Sequence, residues 1–382
     1  MAEKETKKSK VKLETYEVET SKDIGERVYK VATDIVHQIE HVHDPTFTTK
    51  VRGQSNAFFD EKSGLINLGD KTFTRNFLNI GHAKKFMQTM LVLDKANEYL
   101  KLNKTASIRE IYYELKHTIS TTKENTFEGQ DESDPIIVDL EHAVNTIREK
   151  LNLQADPKGS LYGDLVLKDL MHNNDEFRCN KLGRGGWSIM SRMEPSEIEI
   201  REVNAEMILV VETSAMYSRL IEEKFADKNK AILVGTGGQA ARGARRLVHR
   251  LHAETNLPVI VFTDGDPYGW YIYSVIKQGS MALAAHSKFL AVPSAKYVGM
   301  TLTDVTEYGL QNVTEKMKEG DIKRAKELMS YDWFKSKEWQ SELKLALDKK
   351  IRIEQQALAN KSLDFVAKKY LPEKIENQIF LP

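Results

Sequence analysis

Three observations predict a two-part fold, mixed α+β in the first half and α/β with a parallel sheet in the second. The chain has 382 residues, enough for two separate cores. Its second half alternates short apolar runs with helical stretches: MILVVE, SAMYSRLIEEKFA, AILVGTGGQ, ARGARRLVHRLHAE, VIVFTDGD. That alternation marks parallel strands covered on both faces. The first half lacks it and reads as helices separated by polar, turn-rich loops.

Element by element, Lys84–Leu102 reads as a long helix rich in Leu, Met, Lys and Ala. The break NKTAS leads into SIREIYYELKHTIS, a second helix whose start is fixed by Ser107 and Glu110 at capping-box spacing. Two helices joined this way suggest a helix-turn-helix unit. Thr121–Pro135 is polar and reads as a loop or wing, with a further helix from Ile136 to Leu153. The passage QADPKGS marks the boundary between the halves. Strands are expected at MILVV, AILVG and VIVF, and charge-mixed helices from Asp321 onward.

Composition excludes several classes. Lys plus Arg and Asp plus Glu number 56 each, so only local clusters of charge can argue for a polyanion. No apolar run approaches the ~18 residues of a membrane helix. The opening MAEKETKKSKVKLE is a charged tail without an apolar signal core, which predicts a cytoplasmic protein with no membrane association. Cys179 is the single cysteine, so neither an internal disulfide nor a Cys/His metal spacing exists.

The candidate chemistry gathers where strands end. In open parallel sheets ligands collect at the carboxyl ends of strands. Glu212 ends one predicted strand, and Asp264 and Asp266 follow another at the i, i+2 spacing that points side chains to one side. Three converging carboxylates ask for a cation, and an all-oxygen set without His or Cys suits Mg2+. The bland alternative is that one Asp caps the next helix and Glu212 is solvated. The turn Gly235–Ala240 fits G-x-G-x-x-A between strand and helix, which favours a nicotinamide-dependent oxidoreductase. That reading leaves the second aspartate and Glu212 without a role. Arg242, Arg245, Arg246 and Arg250 on the following helix suit contact with DNA phosphates, against a solvated basic face. In SIREIYYELKHTIS, Ile108, Ile111, Tyr112, Leu115 and Ile119 form an apolar stripe, which makes Tyr112 core. Tyr113 lies on another face with Arg109, Lys116 and His117. A phenol titrates near ~10, so cationic neighbours are what a tyrosine nucleophile requires.

The combination of SIREIYYELKH, VVETSAMYSRL, GTGGQAARGARRL and TDGDPYGW resembles the A subunits of the archaeal type IIB DNA topoisomerases, relatives of the Spo11 meiotic recombination protein. RGQSNAFFDEKSGLINLG, LGRGGWSI and EQQALANKSLDFVAKKYLPEKI extend the resemblance over nearly the whole chain. It implies a winged-helix (CAP-like) domain over 69–153 and a Toprim domain with C-terminal helices over 154–382; residues 1–68 are read as an N-terminal tail and partner-contacting region, the tail matching nothing in the family. The family's nucleophile falls on Tyr113 and its upstream arginine on Arg109. Its metal-binding acids fall on Glu212, Asp264 and Asp266.

The implied activity is transient cleavage of double-stranded DNA through a 5′-phosphotyrosyl bond, assisted by Mg2+. Resealing follows passage of a second duplex. Two tyrosines are needed to cut both strands, hence a homodimer in which one protomer's tyrosine works with the other's Toprim domain. No Walker A motif is present, so the resemblance implies a separate ATPase, the B subunit, in an A2B2 heterotetramer on the nucleoid. A Spo11-like protein that cuts without resealing is the other reading within the family.

Overall fold

The computed structural model describes residues 21–382; the charged tail expected at the start lies outside them. Two compact units emerge. One comprises Leu68–Asp156 with the preceding stretch up to Ala57; the other comprises Phe58–Asn67 and Pro157–Pro382.

The first unit packs the helices Ser21–Glu40, Ile80–Leu102, Ile108–Leu115 and Gln130–Ala143. Their core includes Val92, Leu93, Ala96, Ile111, Tyr112, Phe127, Ile136 and Leu140. The long helix begins four residues earlier than the apolar pattern suggests, because the Asn79 side chain accepts from Gly81 N and caps it. Gln130–Ala143 likewise starts before the predicted Ile136. Pro135 sits inside it, forgoing one main-chain bond, and the helix stops ten residues short of Leu153. A single turn at Arg148–Leu151 and a short strand, Leu153–Gln154, complete that segment. That strand pairs in parallel with Ala106–Ser107, at the threshold of Ile108–Leu115. An antiparallel pair, Thr46–Lys50 with Thr72–Asn76, is tied to Gln130–Ala143 by Asp139. This carboxylate is buried and pairs with both Arg52 and Arg75.

The second unit is built on a six-stranded sheet. In spatial order its strands are Trp187–Ser188, Ser160–Tyr162, Ala231–Gly235, Met207–Val211, Val259–Phe262 and Lys296–Gly299. The last four are mutually parallel, and the first two are antiparallel additions at one edge. Ile208, Leu209, Val210, Val211, Ile232, Leu233, Val234, Val261 and Phe262 are all buried, as strands covered on both faces require. Ser214–Glu222, Arg242–Thr255 and Pro267–Lys277 follow the three central strands, and Trp270, Tyr273, Tyr297 and Trp339 form an aromatic cluster with ring centroids 5.1–6.1 Å apart. Met207–Val211 lies between Ala231–Gly235 and Val259–Phe262, with Val211 opposite Gly235 on one side and Phe262 on the other. The carboxyl ends of these strands are therefore level, and Glu212 emerges beside Thr263.

The C-terminal part is less uniformly helical than expected. After Glu319–Ser330 and Lys337–Lys349 the chain turns extended. Ile351–Arg352 pairs with Glu315–Lys316, and Ile353 bridges to Gly265.

Candidate active site

Each acidic residue at the strand ends has one oxygen committed to a main-chain N–H. Asp264 N donates to Glu212 Oε2 at 3.0 Å, and Gln355 N donates to Asp264 Oδ1 at 2.8 Å. Asp266 Oδ1 accepts from Tyr268 N and Gly269 N at 2.9 and 2.7 Å, capping Pro267–Lys277. Its Oδ2 lies 3.6 Å from Arg352 Nη1. The glycine between the aspartates is enforced by crowding, since a Cβ there would stand 2.6 Å from Ile353 Cγ2 and 3.0 Å from Met300 O.

The electrostatics follow from that crowding. Burial, reinforced by Asp264, pushes the Glu212 carboxyl up to about 8. Burial also raises Asp264, to about 6, with Asp266 and Glu354 adding to the effect. Asp266 is raised as well, chiefly by burial, and Arg352 opposes that shift. Crowded acids that hold protons near neutrality are a common mark of a site built for a positive ligand.

Among the described residues no three acidic, cysteine or histidine side chains are gathered as a preset metal cage. The arrangement is more open. Glu212 and Asp264 each keep a second oxygen outside the hydrogen bonds described, while Asp266 divides its oxygens between the helix cap and Arg352. One or two hard carboxylate oxygens fit magnesium, which retains water and takes phosphate oxygens for the rest of its shell. Sequence reasoning missed Arg352, Glu354 and Gln355, because nothing in their spacing points to residues about ninety positions earlier.

On the first unit, the tyrosine helix is shorter than its sequence suggests. Its capping box is present, with Ser107 Oγ accepting from Glu110 N and Glu110 Oε2 accepting from Ser107 N. The helix ends at Leu115 because Thr126 replaces the next turn. Its hydroxyl donates to Leu115 O at 2.6 Å and accepts from His117 N at 3.0 Å. His117 and Ile119 therefore lie outside the helix, and the expected imidazole one turn from Tyr113 is not on its helical face. Lys116 is also diverted, since its Nζ donates to Tyr112 Oη at 2.9 Å. Tyr112 is buried and donates to Glu128 O, whereas Tyr113 is 67% exposed. Arg109, one turn before Tyr113, is exposed on the same helix.

The arginine row requires a correction. Arg245, Arg246 and Arg250 are buried, and two of them are spent inside the unit. Arg246 forms a two-pronged pair with Glu194 at 2.8 and 2.7 Å and also donates to Phe289 O. Arg250 donates to Met193 O, Ile198 O and Glu254 Oε1. Burial on every side, rather than one solvated face, removes these groups from direct phosphate contact. Arg242 is half-buried at the start of the helix.

The glycine-rich turn has an internal explanation too. A Cβ on Gly235 would lie 2.8 Å from the Tyr217 ring, and Gly237 and Gly238 take φ of 61° and 93°.

One chain thus joins a parallel sheet with acids at its carboxyl edge to a helical unit presenting an exposed tyrosine, which sets it in a class of two-unit α/β proteins. Residues 207–375 match the family described as the Toprim domain of the topoisomerase 6 A subunit/Spo11, and residues 84–153 match that of type IIB DNA topoisomerase. The chain is 53% identical over 362 residues to the A subunit of type 2 DNA topoisomerase 6 from Pyrococcus abyssi, covering 92% of this chain and 94% of that protein. The proteins of the same name from Sulfurisphaera tokodaii and Haloarcula marismortui are 37% and 34% identical. Coverage is 95% of this chain and 97% of the relative in the first case, and 93% and 96% in the second. The chain belongs to the A-subunit family of the type IIB DNA topoisomerases 6, and it is a DNA topoisomerase subunit. The oxidoreductase reading falls with that membership. Among the described residues no helix is long and apolar enough to cross a membrane.

Proposed function

We propose that this chain is the DNA-cleaving subunit of a type IIB topoisomerase, with Tyr113 as nucleophile and Glu212, Asp264 and Asp266 as the Mg2+-holding acids. In this reading residues 69–153 act as the winged-helix (CAP-like) domain and 154–382 as the Toprim domain with its C-terminal helices. The stretch 1–68 contacts partners. The observation that carries the proposal is the contrast between adjacent tyrosines. Tyr112 is buried and hydrogen-bonded, while Tyr113 is exposed on the segment matching the type IIB topoisomerase family.

Tyr113 Oη attacks a backbone phosphorus, forming an O–P bond as the P–O3′ bond breaks. The phenol proton leaves with solvent or a base, and the departing 3′-oxygen gains one. The 5′-phosphotyrosyl bond keeps the energy of the broken linkage, so resealing is the reverse step and needs no ATP. Arg109, one helical turn away, supplies positive charge toward the phosphate. Glu212 and Asp264 offer hard oxygens, and Asp266, which caps its helix through Oδ1, would offer Oδ2 as the third. Bound Mg2+ would offset charge on phosphate oxygens. Cutting both strands calls for a homodimer in which each tyrosine works with the partner protomer's Toprim domain. ATP-driven strand passage calls for the B subunit in an A2B2 assembly on double-stranded DNA.

The test is to trap the adduct. Full-length chain, the separate ATPase, supercoiled DNA, ATP and Mg2+ are mixed and quenched with detergent, and the DNA-linked peptide is sequenced. Attachment at Tyr113 with relaxation of the remaining DNA is the expected result. Attachment at another tyrosine overturns the assignment, and breaks without relaxation favour a Spo11-like activity.

A further inference from the structure

The ladder between the two strands that carry Glu212 and Asp264 makes its last main-chain bond at Glu212, whose N donates to Phe262 O at 3.1 Å. Register pairing in the sheet ends at Val211 opposite Phe262. Past that point the gap between the acids is crossed by Asp264 N, which donates to Glu212 Oε2 at 3.0 Å, and by one side chain from elsewhere in the chain. Gln355, a fully buried residue about ninety positions beyond the nearer strand, spans it. Its Nε2 donates to Phe262 O at 2.9 Å. Its Oε1 accepts from Thr213 Oγ1 at 2.9 Å and from Thr213 N at 3.3 Å. Its main-chain N donates to Asp264 Oδ1 at 2.8 Å. One residue therefore grips the carbonyl two residues before one acid, the residue after the other, and a carboxylate oxygen directly. The segment is itself anchored, since Gly265 N donates to Ile353 O at 2.8 Å and Ile353 N returns a bond at 3.2 Å.

We propose that Gln355 is a positioning residue for the metal centre, a rung added beyond the end of the sheet that sets the separation of Glu212 and Asp264. The inference rests on the magnesium reading of that site. A primary amide suits the task because it offers donor and acceptor at once, and both are used here. Metal ligands are held by such partners, and removing one typically weakens binding about 10- to 100-fold. Without the amide the two strand ends keep only the bonds from Glu212 N to Phe262 O and from Asp264 N to Glu212 Oε2, and are held less firmly. The main-chain bond to Asp264 would then shift with the segment.

The experiment is calorimetric titration of Mg2+ into the full-length chain, without DNA or nucleotide. Wild type is compared with Gln355→Met, which keeps the length and loses both polar atoms. Leu328→Ala, a buried substitution on Glu319–Ser330, controls for general loosening. The expected result is a Kd about 10- to 100-fold weaker for Gln355→Met and unchanged for Leu328→Ala. If Gln355→Met does not fold, Gln355→Asn replaces it, carrying the same amide one methylene too short to reach both strands. Wild-type affinity in the Gln355 variant overturns the positioning role alone. Equal weakening in Leu328→Ala also overturns it, because the effect would then be loss of stability. No Mg2+ binding by wild type overturns the magnesium reading, and this inference with it.

Discussion

Replacing Glu212 with Gln should stabilise the metal-free protein at alkaline pH and leave it unchanged in acid. In the folded protein the Glu212 carboxyl sits at about 8 against an ordinary value of 4.5, mainly through burial and secondarily through Asp264. Between those values the folded state holds a proton that the unfolded chain has released. Stability therefore falls as pH rises across that window, and levels off above it. Asp264, raised from 3.8 to about 6, adds a second decline at lower pH. At about 1.4 kcal/mol per pK unit the Glu212 shift sets a ceiling of about 5 kcal/mol. The carboxylate is partly open to solvent, so screening leaves roughly 2 kcal/mol. For a unit of this size that is a rise in Tm of about 4–8 °C at pH 8.5 for Glu212→Gln over wild type.

Scanning calorimetry from pH 4.5 to 9 with a chelator present measures it, and the two Tm curves should meet at the acid end. Saturating Mg2+ should raise the wild-type Tm at pH 8.5, by about 2.7 kcal/mol of stability at a hundredfold excess over Kd, and raise the variant less. Below pH 8 binding must displace the Glu212 proton, so apparent affinity should weaken as the pH falls. Parallel Tm curves across the whole range would refute the reasoning, because they would mean Glu212 titrates alike in the folded and unfolded states.

Tyr113→Phe should abolish the covalent DNA adduct without lowering Tm, because the lost hydroxyl is on an exposed ring; detergent-trapped adduct assays and calorimetry check both parts. Tyr112→Phe should keep the adduct and lose about 1 kcal/mol, the worth of the bonds to Glu128 O and Lys116, measured by urea unfolding. Ser107→Ala should remove the N-cap of the tyrosine helix and cost about 1 kcal/mol, with faster amide exchange in its first turn. Arg246→Ala should leave Glu194 facing a buried gap and destabilise the fold by about 3–5 kcal/mol, while the salt dependence of DNA binding by the folded fraction stays that of wild type.

The parts of the molecule legible in its sequence were those governed by local rules. MILVV, AILVG and VIVF became parallel strands because continuous apolar runs can be satisfied only by burial on both faces. Ser107 and Glu110 became a capping box because both partners lie within one turn. The same rules placed Glu212 at a strand end and Asp264 and Asp266 just after another. What the sequence hid depended on distant partners. Thr126 ended the tyrosine helix at Leu115 from eleven residues away, so helical spacing misplaced His117 beside Tyr113. Asn79 started the long helix in a stretch with no apolar period. The arginine helix misled for a different reason: a helix enclosed on all sides can still show a charged stripe if the surrounding chain supplies acids and carbonyls. Glu194, Phe289, Met193 and Ile198 do so for Arg246 and Arg250, at separations of about forty to fifty-seven residues. Gln355 is the extreme case, joining strand ends 142 and 93 positions away with one amide. Acids announced locally can thus be ion-paired or hydrogen-bonded by residues that carry no local signal, and for this fold those residues, Arg352 and Gln355, lie in the segment after Lys337–Lys349.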